Sequence, residues 1–402
     1  MKNILVVCFV IVCLVAMFSS PVEAAERSIK ILVLDAYSGP AKDVSDRLRL
    51  GCQFLAEEVN AKGGLLGRKV EFIFEDSQVK PDVAVRKAQK YLLENNVDAV
   101  VTGVGSHVNK ALTDLTKQYN ILMVSMTMAD ESTGKDFAYH NVRLTYSTSI
   151  IAKALVSTTA RNKQFKKVYL LNQDYSYGRD MATAIKKEIK RQIPDAEIVG
   201  EDYHPLFIKD FSPFLTKIKA SGADVILTAN YGTDITILLK QRRELGVKAI
   251  VVGNALVNQT VVRENPEAAL GNMGCDGFVV TTTIKEGVDF VNRWKKRFKG
   301  GEYPEPDSIS ARTYIGLGFL MEGIKKAQSV KVDKLVPVLE ILHMKSLNGE
   351  VYMRACDHQF MNPLPAITID NTTPPYFSAP VMLPISATIT DEKDIANPRC
   401  KK

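Results

Sequence analysis

Hydrophobic and polar positions follow two rhythms along most of the chain. Short apolar runs, such as Ile29-Lys30-Ile31-Leu32-Val33-Leu34, alternate with longer stretches in which apolar residues recur at helical spacing. Leu48, Leu55 and Val59 form one such stripe within residues 44–59. The first part reads as strands over 29–34, 70–75, 99–102 and 121–125, separated by helices over 44–59, 81–95 and 107–118. Pro81 suits a first helical turn, where its missing N–H goes unused. Strand–helix alternation of this kind predicts βαβ units around a parallel sheet.

After a link at 141–145 the rhythm begins again. Helices are expected over 150–160, 177–192, 211–219 and 233–245, with strands over 167–171, 197–199, 224–228 and 249–252. A strand over 277–282 then leads to helices over 288–299, 309–327 and 332–342. Asn348-Gly349 and Asn362-Pro363 are turn signals around short strands at 350–353 and 366–369, and the Pro-rich residues from 374 onward read as an extended strap. The fold class is therefore α/β; no low-complexity linker separates the halves, so two lobes would be joined by short crossings.

The one long apolar run, residues 4–18, is too short to span a bilayer comfortably, which takes about 20 residues. With Lys2 before it, Ser19-Ser20-Pro21 after it and Val22-Glu23-Ala24 at its end, it reads as a signal peptide cut after about Ala24. Composition agrees with a globular chain of two or three domains: 402 residues, 46% apolar and 24% charged. The net charge of +7 is spread over basic pairs at helical spacing, such as Lys186-Lys187 and Arg242-Arg243. No aromatic-interleaved basic stripe argues for nucleic acid. Four cysteines lie beyond the cut: Cys52, Cys275, Cys356 and Cys400. Export permits disulfides, and three full pairings are open.

Catalytic and cofactor signatures are lacking. Ser132-Thr133-Gly134-Lys135 does not have P-loop order, and Gly103-Val104-Gly105 lacks its third glycine. There is no G-x-S-x-G, H-E-x-x-H or C-x-x-C. Asp357-His358 beside Cys356 suggests a metal only weakly, since neighbouring residues on a strand face opposite ways. What remains is the strand-to-helix turn 102–106, whose helix N-terminus presents N–H groups and partial positive charge to an anion. Ser106 is placed either to bind such an anion or to cap the helix.

Four segments carry a resemblance: Lys62-Gly63-Gly64 with Gly67-Arg68-Lys69-Val70; the stretch 100–115; Asn120-Ile121-Leu122-Met123-Val124-Ser125; and Asp174-Tyr175-Ser176-Tyr177-Gly178. Their order and spacing resemble the type I periplasmic solute-binding proteins of the leucine/isoleucine/valine-binding group, from about residue 29 to 342. The resemblance implies two Rossmann-like lobes, lobe 1 of residues 25–144 and 279–348 and lobe 2 of 145–278 and 349–402 with the strap, joined by chain crossings near 143–146, 276–279 and 347–351. It further implies a periplasmic, non-enzymatic, monomeric receptor of an ABC importer. It would close its lobes on a small solute and hand it to an inner-membrane permease, with no cofactor and no nucleic acid. A sensory ligand-binding module signalling to a membrane partner is the alternative.

By the same resemblance, Ser106 and Gly105 hold a ligand carboxylate, together with the turn at Met128 and Ala129. The family's threonine hydroxyl is missing at Ala129, and its acidic ammonium partner is missing near Gly253-Asn254-Ala255. Asp130 is the candidate substitute. Tyr177, Tyr231 and Tyr37 are expected as aromatic walls, so the ligand is a branched-chain amino acid or a related organic acid or amide, aromatic carboxylates included. Cys356 and Cys400 both lie in the irregular tail and are expected to bridge. Cys52, on a helical stripe, and Cys275, beside a strand, are expected as buried thiols.

Overall fold

The computed structural model describes residues 27–94 and 96–401. The expected signal peptide and its cleavage point lie outside the described residues. No helix among the described residues is long and apolar enough to cross a membrane.

The first sheet begins with β1 (Ile29–Asp35), β2 (Val70–Asp76), β3 (Ala99–Thr102), β4 (Leu122–Ser125) and β5 (Asn141–Arg143). The second begins with β6 (Lys167–Gln173), β7 (Glu197–His204), β8 (Val225–Thr228), β9 (Ile250–Gly253) and β10 (Met273–Cys275). Five more strands follow: β11 (His343–Ser346), β12 (Gly349–Arg354), β13 (Gln359–Met361), β14 (Leu364–Thr368) and β15 (Val381–Leu383). Sheet one has the order β11-β12-β13-β5-β4-β3-β1-β2 and sheet two β15-β14-β10-β9-β8-β6-β7. The pairs from β1 to β5 and from β6 to β10 are parallel, as the alternation predicts. Apart from Lys30 and the strand-end residues Asp35 and Thr102, β1 and β3 are apolar, because helices cover both faces of their sheet.

Each sheet is clothed on both sides. Lys42–Ala61, Lys285–Arg297, Ser308–Ala327 and Val332–Ile341 cover one face of sheet one; Pro81–Leu93 and Ser106–Gln118 cover the other. In the second lobe, Ser212–Ser221 and Thr233–Glu244 pack on one face, and Thr148–Ala160 and Ser176–Gln192 on the other. Helix Ser308–Ala327 starts at a capping box, in which Asp307 accepts from the Ser310 N–H while Ser310 accepts from the Asp307 N–H.

Three expectations are corrected. The apolar run 277–282 is not a strand. It is a crossing, in which Phe278 enters the core of the first lobe and Val279 that of the second. Residues 349–361 do not leave for the second lobe at the Asn348-Gly349 turn. That turn makes a hairpin, so β12 stays antiparallel to β11 and β13 pairs with β5 in sheet one. The crossing to β14 therefore falls between Met361 and Leu364. Finally, the tail is not only an extended strap. β15 pairs antiparallel with β14, Asp391 and Asp394 make ion pairs with Arg191, and the end returns to the first lobe. There Asn397 donates to the Thr133 carbonyl, Arg399 pairs with Glu340, and Cys400 is bridged to Cys356 with 5.0 Å between their Cα atoms. Cys52 and Cys275 are buried and free.

Candidate functional site

In both sheets the first strand lies between the second and the third, β2-β1-β3 and β7-β6-β8. This order change opens a crevice beyond the carboxyl ends of the central strands. In the first lobe the crevice is bordered by the turn Gly103-Val104-Gly105. Asp35, at the end of β1, accepts from the Ala36 and Val104 N–H groups, each at 2.9 Å, and so pins that turn. Burial pushes its carboxyl up to about 6 despite those bonds, and one oxygen has no partner. Gly103 sits against it: a Cβ there would lie 2.7 Å from that oxygen.

Gly105, with φ +89°, occupies the cap position of helix Ser106–Gln118. Ser106 is thus the first helical residue and not the cap. Its hydroxyl makes no hydrogen bond among the described residues, which leaves it available beside the free N–H groups of the first turn. Thr102, at the end of β3, also has a buried hydroxyl without a partner. On the neighbouring strand end Ser125 and Thr127 share a hydrogen bond of 2.9 Å.

The second lobe contributes aromatic residues at the ends of β6 and β8. Tyr175 and Tyr177 lie 6.0 Å apart between ring centres, and Tyr231 meets Phe207 edge-on. Gly178 permits this arrangement, since a Cβ there would come within 2.0 Å of the Gln173 carbonyl oxygen. Tyr177 is 9% exposed and belongs to the core. Even so, its hydroxyl is unpartnered, and so is the side-chain amide oxygen Oδ1 of Asn254 beside it.

Between the lobes lies a charged group that no local pattern foretells. Arg312 donates to the Tyr146 hydroxyl at 2.5 Å and lies 3.5 Å from Asp276, and Tyr146 donates to Asp276. Asp276 is 2% exposed and accepts from the Gly277 N–H as well. Burial, and then the adjacent carboxylate, raises the Tyr146 phenol well above its usual range. Burial works against the charge on Arg312, but Tyr146 and Asp276 outweigh it and hold the guanidinium charged. Both Asp276 and Arg312 act electrostatically on Tyr177, which places this network beside the second-lobe aromatics. Its members come from two crossings and a distant helix, so sequence reading had no spacing to detect.

One expected ligand position, Asp130, is engaged elsewhere, whereas at Met128 and Ala129 only the carbonyls are taken and the N–H groups make no hydrogen bond among the described residues. The Met128 carbonyl accepts from the Thr148 N–H at 2.7 Å and from Arg143 at 3.2 Å, and the Ala129 carbonyl accepts from Arg143 at 2.6 Å. Both carboxylate oxygens of Asp130 accept from Ser149. This turn is therefore built into the first crossing. Arg143 is wholly buried, and desolvation lowers its guanidinium to about 10. Tyr37 stays in the first lobe, edge-on to Phe74 and 3.9 Å beneath the Arg49 guanidinium, with its hydroxyl buried and unpartnered.

The groups of the Cys356-Asp357-His358 run are likewise committed. The two sulfurs of Cys356 and Cys400 are joined, Asp357 forms a two-pronged pair with Arg354, and His358 faces Glu340 and the Asn141 carbonyl. Burial lowers the imidazole's pKa there, against the opposing pull of Glu340.

Known proteins show the same architecture. Residues 28–374 match the family described as periplasmic binding protein. A Leu/Ile/Val-binding protein homolog 4 from Brucella abortus is 24% identical over 377 residues, covering 88% of this chain and 87% of its own. Among solved structures, the closed leucine-, isoleucine-, valine-, threonine- and alanine-binding protein of Brucella ovis superposes with a TM-score of 0.82. It is 21% identical, and the match covers 90% of this chain and 97% of that one. A Rhodopseudomonas palustris solute-binding protein of an ABC transporter, in complex with 3,4-dihydroxybenzoic acid, gives a TM-score of 0.79 at 19% identity, over 88% of this chain and 96% of that one.

Proposed function

The chain belongs to the periplasmic binding protein family, and on that premise we propose that it is the exported receptor of an ABC importer, closing on a small organic acid or amide for delivery to an inner-membrane permease. In this reading the solute carboxylate meets Ser106, with Gly105 and the first N–H groups of its helix. Tyr177, Tyr175 and Tyr231 supply the opposing wall. One observation carries the choice of solute class: neither of the carboxylates at the first two crossings, Asp130 and Asp276, is free for an ammonium. Asp276 is balanced by Arg312 and Tyr146, and Asp130 is engaged by Ser149. An ammonium brought into a closing cleft beside Arg312 would be left without a counter-charge, and burying it so is costly. The relatives include binders of branched-chain amino acids and of an aromatic acid; the charge balance favours the acid.

Calorimetry with benzoate, 4-hydroxybenzoate, short aliphatic acids, leucine and valine tests the reading. A carboxylate lacking an ammonium is expected to bind, and solution scattering at saturation to show a smaller radius of gyration. Micromolar or tighter leucine binding would reject the acid preference, and a radius of gyration unchanged by any bound solute would reject closure.

A further inference from the structure

We infer that the cleft has a side compartment that receives a second anionic group of the solute, so that the solute is an elongated acid with polar groups at both ends; this rests on the solute-binding reading above. A cavity of about 530 Å³ lies between residues 257–263 of the second lobe and 295–308 of the first, closed at its edge by Pro374 and Tyr376 of the tail. That volume falls within the range of small-molecule sites. None of the ligand residues expected from the sequence lines it. One short element links the two regions in the chain, the 3₁₀ turn Asn254–Val257, whose first residue lies beside Tyr177 and whose last lines the cavity. At the 3₁₀ rise, those four residues span about 6 Å.

Three polar groups in the lining have no partner. Ser308 is 1% exposed, and its hydroxyl is unsatisfied. The buried amide nitrogen of Gln259 and the hydroxyl of Thr260 are also unsatisfied. All three can donate, and they come from both lobes. Ser308 and the Gln259 segment already approach each other, because the Ser308 N–H donates to Asn258 at 3.3 Å. A solute acceptor placed among them would satisfy groups that the fold leaves unpaired.

Charge at the mouth selects the sign of that acceptor. Glu305 is paired with Lys295, and Asp307 with Arg47. Arg263 and Lys299, by contrast, make no ion pair among the described residues and face a single unpaired acid, Glu302. The balance is positive, and the intervening walls are apolar at Val257, Val280 and Tyr376. A carboxylate at the far end of an apolar or aromatic body fits this order of surfaces.

The test compares monoacids with diacids by calorimetry on the full mature chain: benzoate against terephthalate, and the straight-chain diacids from malonate to azelate. The wild type is expected to bind at least one diacid about tenfold more tightly than the matching monoacid, the gain of a hydrogen bond to a charged group. The double variant Ser308→Ala with Gln259→Leu should lose that gain and keep monoacid affinity; its thermal unfolding is followed in parallel to check that it folds. Thr260→Trp, which fills the cavity, should give the same loss. Monoacids that bind through Ser106 while no diacid binds more tightly, or a gain that survives both variants, would overturn the side compartment and leave the cleft reading intact. If no acid binds, or if Ser106→Ala leaves acid binding unchanged, the cleft reading fails and the compartment with it.

Discussion

Ser149 donates both its backbone N–H and its hydroxyl to the Asp130 carboxylate, at 3.2 and 2.6 Å. The acid follows β4 of the first lobe, whereas the serine lies in the first turn of the helix Thr148–Ala160 of the second, so the pair spans the first crossing. It also caps that helix N-terminus from outside. Asp130→Ala should therefore lower stability by about 1–2 kcal/mol, in the range of lost helix caps. Chemical denaturation measures this. An Asp130→Ala variant of unchanged stability would show that the pair does not hold the crossing.

Ser106→Ala separates binding from folding. Its hydroxyl makes no hydrogen bond among the described residues, and alanine favours a helix, so unfolding should shift by less than about 0.5 kcal/mol. Loss of a hydrogen bond to a bound carboxylate should weaken acid binding by roughly tenfold or more. Calorimetry reads the two effects independently, and an affinity unchanged within a factor of about two would remove Ser106 from the site.

Asp35 makes the first lobe sensitive to pH. Its folded pKa, about 6, lies above the usual 3.8, so the folded state prefers the neutral acid. The stability this contributes is fully present below the unfolded pKa and is lost as pH rises through about 6. The whole difference is about 3 kcal/mol. Denaturation midpoints of the wild type and Asp35→Asn, compared from pH 3 to 8, should diverge across that window, with the asparagine variant missing this decline. Parallel curves would contradict the assignment.

The Cys356–Cys400 bridge closes a loop with a sequence separation of 44. In the chain-entropy treatment such a loop is worth about 4 kcal/mol. Cys400→Ser should fall short of the wild type by up to that amount. It should also release the tail end, so that limited proteolysis cuts near Arg399 before the core opens. Native alkylation of the wild type should leave Cys52 and Cys275 unmodified, because both are buried.

Buried strands such as β1 and β3 were legible because parallel strands covered on both faces must be apolar throughout, and the helices because one stripe must face the sheet. The run 277–282 shows where that logic stops. Its apolar residues are buried as a strand's would be, but Phe278 and Val279 serve two different cores, and composition cannot tell one core from two. The hairpin turn at Asn348-Gly349 was likewise readable, while the sheet that its second strand would join was not.

For the candidate site, the sequence by itself picked out the turn 102–106, Tyr177, Tyr231 and the lack of a carboxylate near Ala255, since each is read from neighbours along the chain. Only the tertiary structure decided that Gly105 takes the cap position, that the Asp130 carboxylate and the Met128 carbonyl are tied into the crossing, and that Tyr146, Asp276 and Arg312 meet. The last two contacts span 130 and 166 positions. Backbone geometry ties a local motif to its nearest few residues, whereas a charge network is formed by whichever side chains two packed lobes bring together. No periodicity along the chain records that proximity.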